Sequence, residues 1–382
     1  MNILLFSRGY PSPKDVQWGC FEKDQALALQ KLGHKIVFMS IDGRFRLNNR
    51  KIGITRCQDK DFISYNMYII PFDLLKLFGK SFFFWALKKM TTYLYTRIKK
   101  EFVPDVIYAH YLPNIYASTY IKEKTQIPIV GIEHWSKLNQ DILDSYVRDM
   151  GNVAYKSVDS LISVSESLRQ RIKSHFRKDS CVIHNMVSLD FNLKLLQNNK
   201  TIKKSSLNIV SVGSLFYGKG YDILISAFYK SNLYKNGTKI TIVGEGNERK
   251  NLEKQIKSLG LEESILLVGQ KGKDEIVRIL TNSDLFIHPS RGENFSVAII
   301  EGQAAGLPVI ATLCGGATEC INENNGLIVH IDNVDELSEA MVHMFHHIDK
   351  YDKEMISKEC LNKYSSSAIA KQINDVLYSV VK

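Results

Sequence analysis

Short apolar, β-branched runs recur along this chain in two series, each run followed by a helix-length stretch, and this alternation limits the fold more than any other feature. The first series lies at residues 2–7, 35–40, 105–110, 127–133, 160–165 and 181–185. The second lies at 207–214, 239–244, 264–269, 285–289, 308–311 and 326–329. Runs this continuously apolar are what strands buried on both faces of a parallel sheet require. A helical stretch such as 21–32 ends at Gly33, a residue suited to a left-handed C-cap. Between the series, residues 195–206 are rich in Lys, Asn and Ser and carry no periodic apolar face, so they read as a linker. The expectation is an α/β protein with two doubly wound, Rossmann-like domains, at residues 1–194 and 207–366. A last helix, at 367–382, is expected to pack back towards the first domain. Two such domains would face each other across a cleft, and open sheets take their ligands at the carboxyl ends of their strands.

A length of 382 residues with 45% apolar content is enough for two cores. The six cysteines (Cys20, Cys57, Cys181, Cys314, Cys320, Cys360) are scattered and form no CxxC pair. That argues against a zinc site or disulfide framework and fits a reducing, cytoplasmic setting. The apolar run Ile3 to Phe6 is too short for a signal peptide, and no stretch reaches the length of a membrane span. A formal charge of +10 points to anionic partners: phosphates, nucleic acid or an acidic membrane surface. No recognised nucleic-acid module accompanies that charge, so no nucleic-acid partner is expected.

The most specific segment runs from Pro289 through Ser290, Arg291, Gly292, Glu293, Asn294, Phe295 and Ser296 to Glu301, then Gly302 to Ile310. A strand ends at Pro289, a polar loop follows, and a helix begins near Phe295. Its first turn offers unpaired N–H groups and the positive dipole end, which suit a diphosphate. Glu293, in the loop, can accept hydrogen bonds from sugar hydroxyls, and Glu301 lies about two turns further on.

This stretch resembles the Glu-x7-Glu motif of family 4 retaining glycosyltransferases, which have the two-Rossmann fold called GT-B. Val212 to Gly220, with Gly213, Ser214 and Lys219, is similar to that family's glycine–lysine–glycine donor loop. Gly244-Glu245-Gly246, Gly315-Gly316 with Glu319, and Asn325 to Val329 match the segments around it, and the likeness spans nearly the whole chain. By that resemblance, Glu301 binds the donor ribose, Glu293 the transferred sugar, and Lys219 the departing diphosphate. Gly213, Ser214, Asn294, Phe295 and Ser296 line the donor. Two positions depart from the family: Ser214 stands where many relatives have arginine, and Ser296 where glycine is usual. The first shifts diphosphate stabilisation towards Lys219.

In the first half, Gly19 opens a helix after the loop Ser7 to Pro11, where close approach of a phosphate is possible. His110 and His134 end strands and project into the expected cleft. Ile132 to Lys137 resembles the family segment whose histidine touches the donor sugar, which assigns His134 to the reacting centre. His110 is placed on the acceptor side or behind it. The resemblance implies a retaining reaction with no dedicated nucleophile and no cofactor beyond the nucleotide-diphosphate sugar itself. The chain reads as offering no Asp-x-Asp metal motif, so metal independence is expected. The acceptor is expected to be a glycan or lipid-linked glycan in cell-surface polysaccharide synthesis. Alternatives are another GT-B enzyme (a sugar-nucleotide epimerase or phosphorylase) or a basic nucleic-acid-binding protein.

Residues 74–100 hold seven basic and seven aromatic residues and no acidic one. Read as a helix from Ser81, one stripe is Phe83, Leu87, Met90, Leu94 and Ile98, facing the core. Phe82, Trp85, Lys88, Lys89, Lys99 and Lys100 are left on the other side, a pattern suited to an anionic membrane surface. The expected location is cytoplasmic, peripheral on the inner face of a membrane.

Overall fold

The computed structural model describes residues 1–12, 15, 18–44, 52–191 and 205–381. The chain divides into two compact units, one of residues 1–184 with 366–382, the other of residues 185–365. The division falls at Asn185, ahead of the linker expected at 195–206, of which 195–204 lie outside the described residues. Asn185 and the residues after it belong to the second unit because they pair inside it. The Val187 amide donates to the Tyr364 carbonyl at 2.8 Å, and the Asn185 amide group reaches the Phe295 carbonyl.

The first unit is built on an eight-stranded sheet. Its strands are β1 (Asn2–Ser7), β2 (Lys35–Asp42), β3 (Gly53–Gln58), β4 (Ile63–Tyr68), β5 (Val106–His110), β6 (Ile129–Glu133), β7 (Ser160–Ser163) and β8 (Cys181–Val182), in the order β3-β4-β2-β1-β5-β6-β7-β8. All neighbours are parallel except β3 and β4. Ile3, Leu4, Leu5 and Phe6 of β1 and Val106 to Ala109 of β5 are completely buried, as strands covered on both faces must be.

The β3–β4 hairpin was not expected from the sequence. It sits at the sheet edge, where β3 is exposed and polar, so no apolar run announces it. Its turn is held by Asp59, whose carboxylate accepts the amides of Asp61 and Phe62, both at 2.8 Å.

The final helix, Ser366–Val380, packs on helix Cys20–Gln30 and on β5 and β6. It buries Ile369, Ile373 and Leu377, each contributing roughly 2 kcal/mol. His34 also meets Asn374 at 2.7 Å.

The second unit holds a six-stranded, all-parallel sheet: β9 (Asn208–Val212), β10 (Lys239–Val243), β11 (Ile265–Leu267), β12 (Leu285–His288), β13 (Val309–Thr312) and β14 (Gly326–Val329), ordered β11-β10-β9-β12-β13-β14. This is the Rossmann order, and its topological switch point lies between β9 and β12. Helices Tyr221–Ser231 and Val334–His347 pack together, and the core is closed by residues such as Leu224, Phe228, Met341 and Met344. Among the described residues, no helix is long and apolar enough to cross a membrane.

Candidate active site

The loops after β9 and β12 emerge side by side at the switch point of the second unit, and they carry the residues singled out by sequence. After β9 the chain turns through Gly213 and Ser214 into a short 3-10 turn, Tyr217–Lys219, and then into helix Tyr221–Ser231. After β12 it runs through Pro289 to Ser296 before helix Val297–Ala304. The loops are tied together: the Arg291 amide and the Ser290 hydroxyl both donate to the Gly218 carbonyl, at 2.8 and 3.0 Å. The Arg291 guanidinium binds Asp222 at 2.7 Å and Asp332 at 2.6 Å, and stacks 3.9 Å from the Tyr217 ring.

Lys219 and Glu293 come together as an ion pair. The same Glu293 oxygen is 3.1 Å from His288 Nε2 and accepts from the Ser290 hydroxyl at 3.3 Å. Burial pushes the Glu293 carboxyl up. The His288 bond and the Lys219 charge outweigh that effect and bring it down to about 2. Glu293 is therefore a fixed anion at neutral pH. Its backbone is clamped from above by Gly315, at φ 47, where a Cβ would stand 1.8 Å from the Glu293 carbonyl oxygen. Only glycine fits there, and the next amide, Gly316, donates to the Asn294 carbonyl at 3.0 Å.

Glu301 lies on the half-buried face of its helix, together with Val297 and Ala298, while Ile299 and Ile300 are fully buried. Asn294, Phe295 and Ser296 are buried, and the Phe295 ring packs on Tyr364 at 5.6 Å. Gly213 accepts from the Tyr221 hydroxyl at 3.3 Å, and Ser214 is half-buried beside it.

In the first unit, the carboxyl ends of β1, β5 and β6 gather a second group. His110 and His134 stack with ring centroids 5.5 Å apart, and the Tyr111 ring lies 5.1 Å from His134. His110 is buried with neither ring nitrogen hydrogen-bonded. Burial, helped by the charge of Arg8, lowers its pKa to about 3, so the ring is neutral. Arg8 pairs with the buried Glu22 at 3.0 Å and lies 4.1 Å from the Tyr111 ring. Gly19 caps helix Cys20–Gln30 against the Gly9 carbonyl, 2.2 Å from where a Cβ would stand. Glu133 is wholly buried; it accepts the amides of His134 and Trp135 at 3.0 and 2.9 Å and the Tyr155 hydroxyl at 2.9 Å. Burial raises its pKa to about 7 despite those bonds.

Sequence reasoning missed His288, Ser290, Arg8, Glu22 and Glu133. His288 ends a strand just as His110 and His134 do, and the same rule would have found it.

One correction concerns metal. An Asp-x-Asp triplet does occur, Asp59-Lys60-Asp61. The structure puts it in the β3–β4 turn, where both carboxylates bind Lys23, at 2.9 and 3.1 Å. Its carboxylates are thus engaged by a lysine and by turn amides. Among the described residues, no group of three or more His, Cys, Asp or Glu is placed to hold a metal ion.

Two doubly wound units, with a charged loop pair at the switch point of one, define the GT-B class of glycosyltransferase. The sequence profile of Glycosyltransferase Family 4 matches residues 23–191, and that of Glycosyl transferases group 1 matches residues 194–359. The chain belongs to this family. It is 27% identical over 291 residues to an uncharacterized glycosyltransferase of Methanocaldococcus jannaschii, covering 71% of this chain and 74% of that one. It is 26% identical over 279 residues to TuaC of Bacillus subtilis, a glycosyltransferase provisionally assigned to teichuronic acid biosynthesis, covering 69% and 66%. The fold is shared with Anabaena HepE, solved in complex with UDP and glucose, at a TM-score of 0.73 and 19% identity over the whole of both chains.

Proposed function

We propose that this glycosyltransferase moves a sugar from a nucleoside-diphosphate sugar to an acceptor hydroxyl with retention of configuration and without a metal ion. The observation that carries the reading is the cluster of Lys219, Glu293, His288 and Ser290 at the β9/β12 switch point, next to the start of helix Val297–Ala304. A cation and helix amides at that place suit a diphosphate, and a fixed carboxylate suits sugar hydroxyls. The complex of HepE with UDP supports a donor of this kind.

In the proposed reaction, the bond from the sugar C1 to the diphosphate oxygen breaks, and its electron pair stays on that oxygen. The acceptor oxygen bonds to C1 on the same face, and its proton passes to the departing oxygen. Lys219 and the helix amides stabilise the charge that develops, the role a metal would otherwise fill. Glu301 holds the ribose and Glu293 the sugar. His134 and His110 serve the sugar and the acceptor.

A panel of nucleotide sugars tests the reading. One donor is expected to raise the melting temperature and to be turned over in the presence of a chelator, giving a product of the donor's anomeric configuration. An inverted product, or turnover lost on chelation and restored by a divalent ion, would contradict it. His134→Ala is expected to slow transfer by about 10- to 100-fold while changing nucleoside diphosphate affinity less than threefold, since the imidazole would touch sugar and not nucleotide. An equal loss in both would remove His134 from the reacting centre.

A specific surface favours a membrane-borne acceptor, consistent with the provisional assignment of TuaC to teichuronic acid biosynthesis. Helix Lys80–Ile98 buries Phe83, Leu87, Leu94 and Ile98, while Met90 is only half-buried. Phe78, Phe82 and Trp85 are left exposed, their rings in file at 5.3 and 5.6 Å. Lys76, Lys80 and Lys88 are paired with carboxylates, so fewer cations face outward than the sequence alone suggests. The proposed docking face joins the aromatic file to Lys89, Arg97, Lys99 and Lys100, on the inner leaflet of a membrane.

A further inference from the structure

Sharing Lys89, Arg97 and Lys100 with that face, helix Lys80–Ile98 and the β3–β4 hairpin line a groove of about 850 Å³ within the first unit. Ile54 pairs with Met67 and Arg56 with Tyr65 across the hairpin, so these four side chains share one face, the one that lines the groove. Along the helix, Lys89, Tyr93 and Arg97 follow at every fourth position, and Lys100 lies just past its C-terminal end.

The groove is thus apolar on its floor, with Ile54, Met67 and Met90, and strongly basic on its rim. Of its four cations only Arg56 meets the one carboxylate present, Glu101, at 2.9 Å. Lys89, Arg97 and Lys100 have no carboxylate partner among the described residues. Arg97 is nevertheless held in place: it donates to the Tyr93 hydroxyl at 3.0 Å and lies over that ring. The same stripe continues towards the helix start as Trp85, Phe82 and Phe78. An apolar floor bounded by unpaired cations and continuous with an exposed aromatic file complements one kind of ligand, an amphiphile with an anionic head.

We propose that this groove binds a single anionic phospholipid, its phosphate on Lys89, Arg97 and Lys100 and the first part of an acyl chain along Ile54, Met67 and Met90. The volume is that of a small-ligand site. A free phosphate would satisfy the cations and leave the floor bare, which is why a lipid is the better complement. The proposal rests on the membrane reading above for its setting, but it concerns one bound molecule, not the bilayer surface.

The test uses the whole chain and dihexanoyl phosphatidylglycerol kept below its micellar concentration, followed by calorimetry. Saturable one-to-one binding is expected, at least tenfold tighter than for dihexanoyl phosphatidylcholine, with none for inorganic phosphate. The triple variant K89Q/R97Q/K100Q should lose it, whereas F82S/W85S should keep it within twofold and lose binding to vesicles of phosphatidylglycerol. These positions are at the surface, so the variants should fold, which circular dichroism checks. Equal affinity for inorganic phosphate would overturn the lipid assignment. Vesicle binding without monomer binding would overturn the groove and leave the docking face standing; loss of neither by its variant would overturn both.

Discussion

Lys219→Ala is expected to slow sugar transfer by about 100- to 1,000-fold, the scale on which a single preorganised charge contributes to a transition state. Lys219 is ion-paired with Glu293. There the lysine waits against a carboxylate that also has His288 and Ser290, so it can turn to a diphosphate without stranding its partner. Its loss should weaken nucleoside diphosphate binding about tenfold and the reaction more, because charge on the leaving oxygen grows as the bond breaks. The variant should also alter acid stability. A carboxyl lowered from 4.5 to about 2 contributes stability that is present above the higher value and lost as pH falls towards the lower. Without Lys219 the folded-state value rises, the contribution shrinks, and the gap between wild type and variant should narrow as pH falls below 4.5 and close near about pH 2. Lys219→Met, which keeps the stem, separates lost charge from lost packing. Unchanged product affinity in both variants would take Lys219 out of the site.

Glu293 and Glu301 should fail in different ways. Glu293→Gln keeps the shape but gives up a charged acceptor, worth roughly 1.5–3 kcal/mol to a bound hydroxyl. Transfer should fall about 10- to 100-fold with nucleoside diphosphate affinity nearly intact. Glu301→Ala should reverse the pattern, since ribose hydroxyls belong to donor and product alike: affinity for the nucleoside diphosphate should fall about tenfold or more. Titration of the product, set beside initial rates, reads both. If the two variants show the same pattern, the division of labour between sugar and ribose is wrong.

How much of this was legible follows from where each piece of information resides. The buried strands were plain because parallel strands must be apolar on both faces, and Ile3 to Phe6 can hardly be read otherwise. The β3–β4 hairpin was not, because an exposed edge strand such as Thr55 to Gln58 has no burial to record. Glu293, Glu301 and Lys219 stood out through local loop patterns. The groups around Glu293 did not, since His288 joins it across a turn. In the first unit, the pairing of Arg8 with Glu22, in the first turn of helix Cys20–Gln30, was equally hidden. The pairing of Lys88, read as facing outward, was hidden for the same reason, since Glu123 lies far along the chain from the lysine it binds.

The final helix has a practical consequence for engineering. Since the chain leaves the first unit at His184 and rejoins it at Ser366, the second unit is an insert in an otherwise continuous host. A chimera meant to exchange donor preference should therefore graft residues 185–365 as a cassette and keep the host's own tail. Trimming the C-terminus, which looks in the linear sequence like shortening the second unit, would instead strip Ile369, Ile373 and Leu377 from the first and remove part of the cover of β5 and β6.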